Sequence, residues 1–95
     1  MAKSIIQDTK ECFVTGSTIN LHEHHIFFGT GLRKLSEKYG LKVYLIPELH
    51  NMSDKGVHFN KDFDLSLKQM AQKKAMDHYG WTIDEFRKIF SRNYL

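Results

Sequence analysis

A change of hydrophobic rhythm near residue 60 restricts the architecture of this chain more than any other feature. Beyond that point Phe63, Leu67, Met70, Ala71, Ala75 and Tyr79 fall on one face at helical spacing, and Gly80 stops the helix. Thr82 and Glu85 stand in capping-box relation, so a last helix begins there with Ile83, Phe86, Ile89 and Phe90 as its apolar face. Before residue 60 no long helical run is sustained. Residues 11–14 read as a short strand, Thr15-Gly16-Ser17 as a turn, and residues 18–28 as a second extended stretch rich in β-formers. Gly29-Thr30-Gly31 breaks it. Leu32, Leu35 and Tyr39 give a short helix one apolar stripe, ended by Gly40. Residues 43–46 form a buried strand closed by Pro47, and a loop follows around residues 51–56. The order strand, strand, short helix, strand, loop, long helix, short helix is α+β, with the two C-terminal helices covering a small sheet.

With 95 residues the chain can build one hydrophobic core and not two independent ones. Its first ten residues are polar and read as loosely held. The single cysteine, Cys12, excludes an internal disulfide and a four-cysteine zinc knuckle, and reads as a small buried hydrophobe. No apolar run approaches the roughly 20 residues of a membrane span, and the N-terminus carries no signal-peptide core. A soluble, cytoplasmic protein is expected. The net charge of +3 is a mild basic bias, compatible with a nucleic-acid partner.

Histidine is the residue that points to chemistry. Of six in the chain, five lie between positions 22 and 58. In His22-Glu23-His24-His25 two adjacent imidazoles stand at a strand end. One can bind a cation, and the other can accept a proton near neutral pH. Phosphodiester hydrolysis needs both functions. Further on, Pro47-Glu48-Leu49-His50-Asn51 and Gly56-Val57-His58 can return ligands beside the first strand. On one unbroken helix His50 and His58 would share a face roughly. The Asp54-Lys55-Gly56 interruption offers a different route, folding His58 back to the same point.

The stretch from about Phe13 to Asn60 resembles the HNH, or His-Me finger, endonucleases, including small phage-encoded members. The matching residues are His24-His25-Ile26, the strand from Val43 to Ile46, Pro47-Glu48-Leu49-His50-Asn51, and Gly56-Val57-His58. The resemblance implies a ββα-metal core over residues 11–60, with residues 61–95 as a helical part packed on it, in one nuclease domain. It implies His24, His50 and His58 as ligands of one divalent ion, Mg2+ or Zn2+, and His25 as general base. It implies DNA as the partner and hydrolysis of its phosphodiester bonds as the reaction. Gly40-Leu41 stand where many members place an asparagine that orients the base. Asn20, Asn51, Asn60 or a backbone carbonyl would have to take that role.

Several of these residues also have plainer uses. His22 reads as solvent-facing or phosphate-contacting, and His78 as a favourable charge near a helix C-terminus. Asn51 divides between a helix cap and a site contact, and Asn60 suits the N-cap of the long helix. Phe27, Phe28, Trp81, Phe86 and Phe90 read as core. Arg33, Lys34 and Lys38 form either a solvated face of the short helix or a set of DNA-phosphate contacts. The alternative to a nuclease is an inactive domain of the same fold that binds DNA or protein.

Overall fold

A computed structural model describes residues 3–53 and 55–95. The architecture is α+β. Strands β1 (His22–His25) and β2 (Lys42–Leu45) pair antiparallel, and among the described residues four helices follow or interrupt them: α1 (Leu32–Tyr39), α2 (Pro47–His50), α3 (Lys61–Tyr79) and α4 (Ile83–Phe90). No helix among the described residues is long and apolar enough to cross a membrane.

The register pairs His22 with Leu45, Glu23 with Tyr44, His24 with Val43 and His25 with Lys42. Because side chains alternate along a strand, His22, His24, Val43 and Leu45 share one face of the ribbon. Glu23, His25, Lys42 and Tyr44 occupy the other. Val43 and Leu45 are buried, so the first face is the one that meets the core.

The strands are shorter than the sequence suggests. Residues 11–14 are not a strand. Cys12 N donates to Ser17 O at 2.7 Å and Gly16 N to Cys12 O at 2.8 Å, which winds the segment into a turn, with Gly16 at φ 78°. One strand-like bond survives, from Phe13 N to Tyr44 O at 2.8 Å. The extended stretch expected over residues 18–28 contracts to β1, since Asn20 adopts a left-handed φ of 55° just before it. The polar stretch 3–10 lies against β2. Ser4 Oγ donates to Lys42 O at 2.6 Å, and Tyr44 N donates to Gln7 Oε1 at 2.9 Å. With Phe13, these contacts give partners to Lys42 O and to both backbone groups of Tyr44 on the outer edge of β2, which would otherwise be open.

Gly40 ends α1 in the left-handed conformation, as read from the sequence. It also lets the N-terminal segment pass close by. A Cβ there would collide with Lys3 O, and Ile5 N donates to Gly40 O at 2.9 Å. Buried Ser36 fastens α1 to the exit of β1, its hydroxyl accepting from Phe27 N at 3.0 Å and donating to Phe27 O at 2.7 Å.

In the helical half, α3 buries Leu67, Ala71 and Ala75 as its spacing requires, together with Gln72. The Gln72 amide has partners that offset its burial: Nε2 donates to Asn93 Oδ1 at 2.7 Å and Oε1 accepts from Tyr94 N at 2.8 Å. Tyr79, expected on the apolar stripe, is partly exposed, and its hydroxyl donates to Tyr39 O at 2.7 Å. The capping box of Thr82 and Glu85 is formed. Phe27 packs on Phe86, Phe90 and Tyr94, with ring centroids 4.7–5.5 Å apart, and so joins strand exit to α4. Cys12 is buried in the core.

Candidate metal centre

Three histidines from separate parts of the chain meet on the core-facing side of the ribbon. His24 comes from β1, His50 from the end of α2, and His58 from the segment after it. One ring nitrogen of each lies within 4.8 Å of those of the other two. The His50 and His58 Nε2 atoms are 3.2 Å apart. Nitrogens bound at 2.0–2.1 Å to one tetrahedral zinc ion stand roughly 3.3 Å apart, so this spacing suits a shared cation.

The local chain explains the convergence. Pro47 closes the strand and fixes the start of α2, a single turn that ends at His50. After it the backbone reverses. Val57 N donates to Leu49 O at 2.8 Å and His58 N to His50 O at 3.2 Å, which lays His58 beside His50. Gly56 makes the reversal feasible, because a Cβ there would stand 2.8 Å from His50 O and 2.9 Å from His50 C. The interruption therefore folds His58 back instead of continuing one helix. Asp54, part of that interruption, lies outside the described residues.

The donor set fits a metal ion on a further observation. His24 is 1% exposed, and its Nε2 is buried with no hydrogen-bond partner. An unpaired buried nitrogen carries a desolvation cost that a cation would offset. Burial, reinforced by neighbouring His50, His58, His25 and Lys68, lowers the His24 pKa to about 3. His50 is lowered to about 4 by burial and by His58 and His22. Both rings are thus neutral in mild acid, the form that ligates metal.

This has a measurable result for the ion-free protein. The unfolded chain takes a proton on His24 near pH 6.5, while the folded chain does not do so until about pH 3. The unfolded state then binds more protons, and stability falls as pH drops from 6.5 toward 3. The slope approaches about 1.4 kcal/mol per pH unit below the unfolded pKa, so roughly 2 kcal/mol is lost over the first two units. Denaturant midpoints measured across that range in chelator should fall accordingly, and His24→Leu should flatten the slope. An unchanged slope in that variant would place the acid sensitivity elsewhere.

Phe28 walls the centre instead of filling the core, with its ring 4.7 Å from His58 and 5.8 Å from His24. Lys68 Nζ lies 4.5 Å over the same ring and 2.8 Å from Asp64 Oδ2. Neither Lys68 nor Asp64 carries a sequence signal beyond i,i+4 spacing on α3. His22, read as solvent-facing, is half-buried with its Nδ1 3.0 Å from His50 Nδ1.

His25 points to the other face, as strand alternation requires, and is 7% exposed. Its Nε2 lies 3.0 Å from Glu37 Oε1 on α1 and 3.7 Å from Glu23 Oε1. The ammonium of buried Lys42 is 2.7 Å from Glu37 Oε2 and 3.6 Å from Glu23 Oε2. Hydrogen bonds from His25 and then Lys42 hold the Glu37 carboxyl down to about 2. The ligand-like grouping of Glu23, His25 and Glu37 already contains a cation, the Lys42 ammonium, and forms an ion-pair cluster with it.

The remaining sequence candidates lie elsewhere. Arg33, Lys34 and Lys38 are exposed on α1, and Lys38 Nζ lies 5.3 Å from the Tyr39 ring centre. Asn51 is exposed at the C-cap of α2, where its backbone N–H donates to Pro47 O. Asn60 is a cap and not a site support, its Oδ1 accepting from Phe63 N at 3.0 Å. The residue at hydrogen-bond distance from His25 is Glu37, not an asparagine. Its position five residues before Lys42 gave no hint of this, because packing of α1 on the ribbon creates the contact. Comparison of the chain with protein-family models, with curated proteins and with solved structures finds no match.

Proposed function

We propose that this protein is a metal-dependent endonuclease of the HNH, or His-Me finger, type. Its ββα-metal core would consist of β1, β2 and the α2 turn with its return to His58. The observation that carries this reading is the meeting of His24, His50 and His58 around a buried, unpartnered nitrogen. When bound, one divalent ion supplies positive charge to the scissile phosphate and the departing 3′ oxygen. An all-imidazole set favours Zn2+ or a similar transition ion over Mg2+, which takes oxygen ligands. Three protein ligands leave room for substrate.

His25 acts as general base. With its Nε2–H donated to Glu37, the lone pair lies on Nδ1, the atom that takes the proton from the attacking water. Glu23 and Glu37 carry two negative charges against one on Lys42, leaving one to balance the imidazolium. Arg33, Lys34 and Lys38, on the same helix as Glu37, contribute phosphate contacts. The test is relaxation of supercoiled plasmid by purified protein. Nicking is expected with Zn2+ or another transition ion added and none in excess chelator. Intact plasmid with protein shown to carry its metal would overturn the reading.

One observation favours a second reading. His25 is nearly buried and engaged in an ion-pair cluster on the face away from His24. A domain whose ion is structural, and which binds DNA or protein without cutting, accommodates that placement. Metal-dependent retention of DNA with no cleavage would select it.

A further inference from the structure

We infer that His22 is a positioning residue for the metal centre. It accepts the Nδ1–H of His50 and so fixes the tautomer that turns the His50 Nε2 lone pair toward the ion. The inference rests on the metal site proposed above. Its basis is the contact between the two Nδ1 atoms at 3.0 Å, with the rings edge to face at 82°. Only one of those atoms can carry the hydrogen. If His50 carries it, its Nε2 is left unprotonated, and that is the atom 3.2 Å from His58 Nε2.

Strand geometry places His22 for this task. It stands two residues before His24 on the same face of β1, so one strand presents a ligand and the support of a second ligand. His22 is not a fourth ligand by this contact. The two nitrogens of an imidazole direct their lone pairs to opposite sides of the ring, and His22 meets the side of His50 turned away from His58. A ligating histidine commonly gives its second N–H to a carboxylate or a carbonyl. Here the acceptor is a neutral imidazole, which orients the ligand without adding negative charge.

The test begins with Zn2+ affinity of the parent chain, measured by competition with a chromophoric chelator. His22→Phe keeps a ring but removes the acceptor and should weaken binding by about 10–100-fold. His22→Gln restores an acceptor and should recover most of that loss. At saturating Co2+ the absorption bands of all three proteins should coincide, since the ligand set is unchanged. An independent reading comes from the nitrogen-15 spectrum of the parent's imidazoles, in which His50 should carry its hydrogen on Nδ1 with zinc bound. Parent-like affinity in His22→Phe, an equal loss in His22→Gln, altered cobalt bands at saturation, or a His50 hydrogen on Nε2 would each overturn the assignment. A parent that binds neither ion would remove the metal centre itself, which is a separate failure from a bound ion indifferent to His22.

Discussion

His25→Ala is expected to slow DNA cleavage by about 10²–10⁴-fold while metal and DNA affinities stay near those of the parent. As the proposed base, His25 would contribute a proton-transfer step and make no bond to the ion, so its loss would fall on turnover. His24→Ala should behave differently. It removes a ring whose nitrogen belongs to the three-histidine cluster, and metal affinity should fall together with activity. Both variants are best compared with metal occupancy measured directly. Cleavage by His25→Ala at the parent's rate would discard the assigned base and turn attention to the non-cutting reading.

A second large effect is expected at a residue that touches no substrate and offers no ligand. Gly56→Ala would drive a methyl group into the backbone of His50, with His50 O at 2.8 Å, His50 C at 2.9 Å and Ser53 O at 3.1 Å. All three are main-chain atoms, so relief requires the turn itself to open. Overpacking of this kind costs about 1–3 kcal/mol. The opening also separates His58 from His50, because the bond between their backbones is what sets the rings side by side. Zinc affinity should therefore fall along with the melting temperature. A variant that melts lower yet binds zinc like the parent would show that the two rings find each other without the turn.

The helical half was legible in the sequence because its signals are local. The spacing of Leu67, Ala71 and Ala75, the stop at Gly80, and the pairing of Thr82 with Glu85 each specify structure within a few residues. The sheet was less legible. Residues 11–14 have strand-like composition, but the bonds around Cys12 and Gly16 close a turn, and only Phe13 reaches β2. In the candidate site, His24, His50 and His58 were grouped by the resemblance to HNH endonucleases, and the rings do meet in space. That His58 folds back depended on Gly56, whose small size matters only against the particular backbone of His50. Glu37 and Lys42 were out of reach for a related reason. Their contact with His25 comes from a helix packing on a ribbon, and no spacing encodes it.

The positions of the three histidines along the chain carry one more consequence. An ion shared by residues 24, 50 and 58 is a cross-link as well as a cofactor. It would close a long loop containing α1 and β2 and a short one made by the turn after α2. Loop closure removes freedom from the unfolded chain, with only a slow dependence on loop length, so the long segment is tied at little more entropic cost than the short one. The α4 helix lies outside these loops and is held to the strand exit by Phe27 packing on Phe86 and Phe90. The ion would thus tie β1 to the α2 turn and its return to His58, and loss of metal would loosen those segments before the helices.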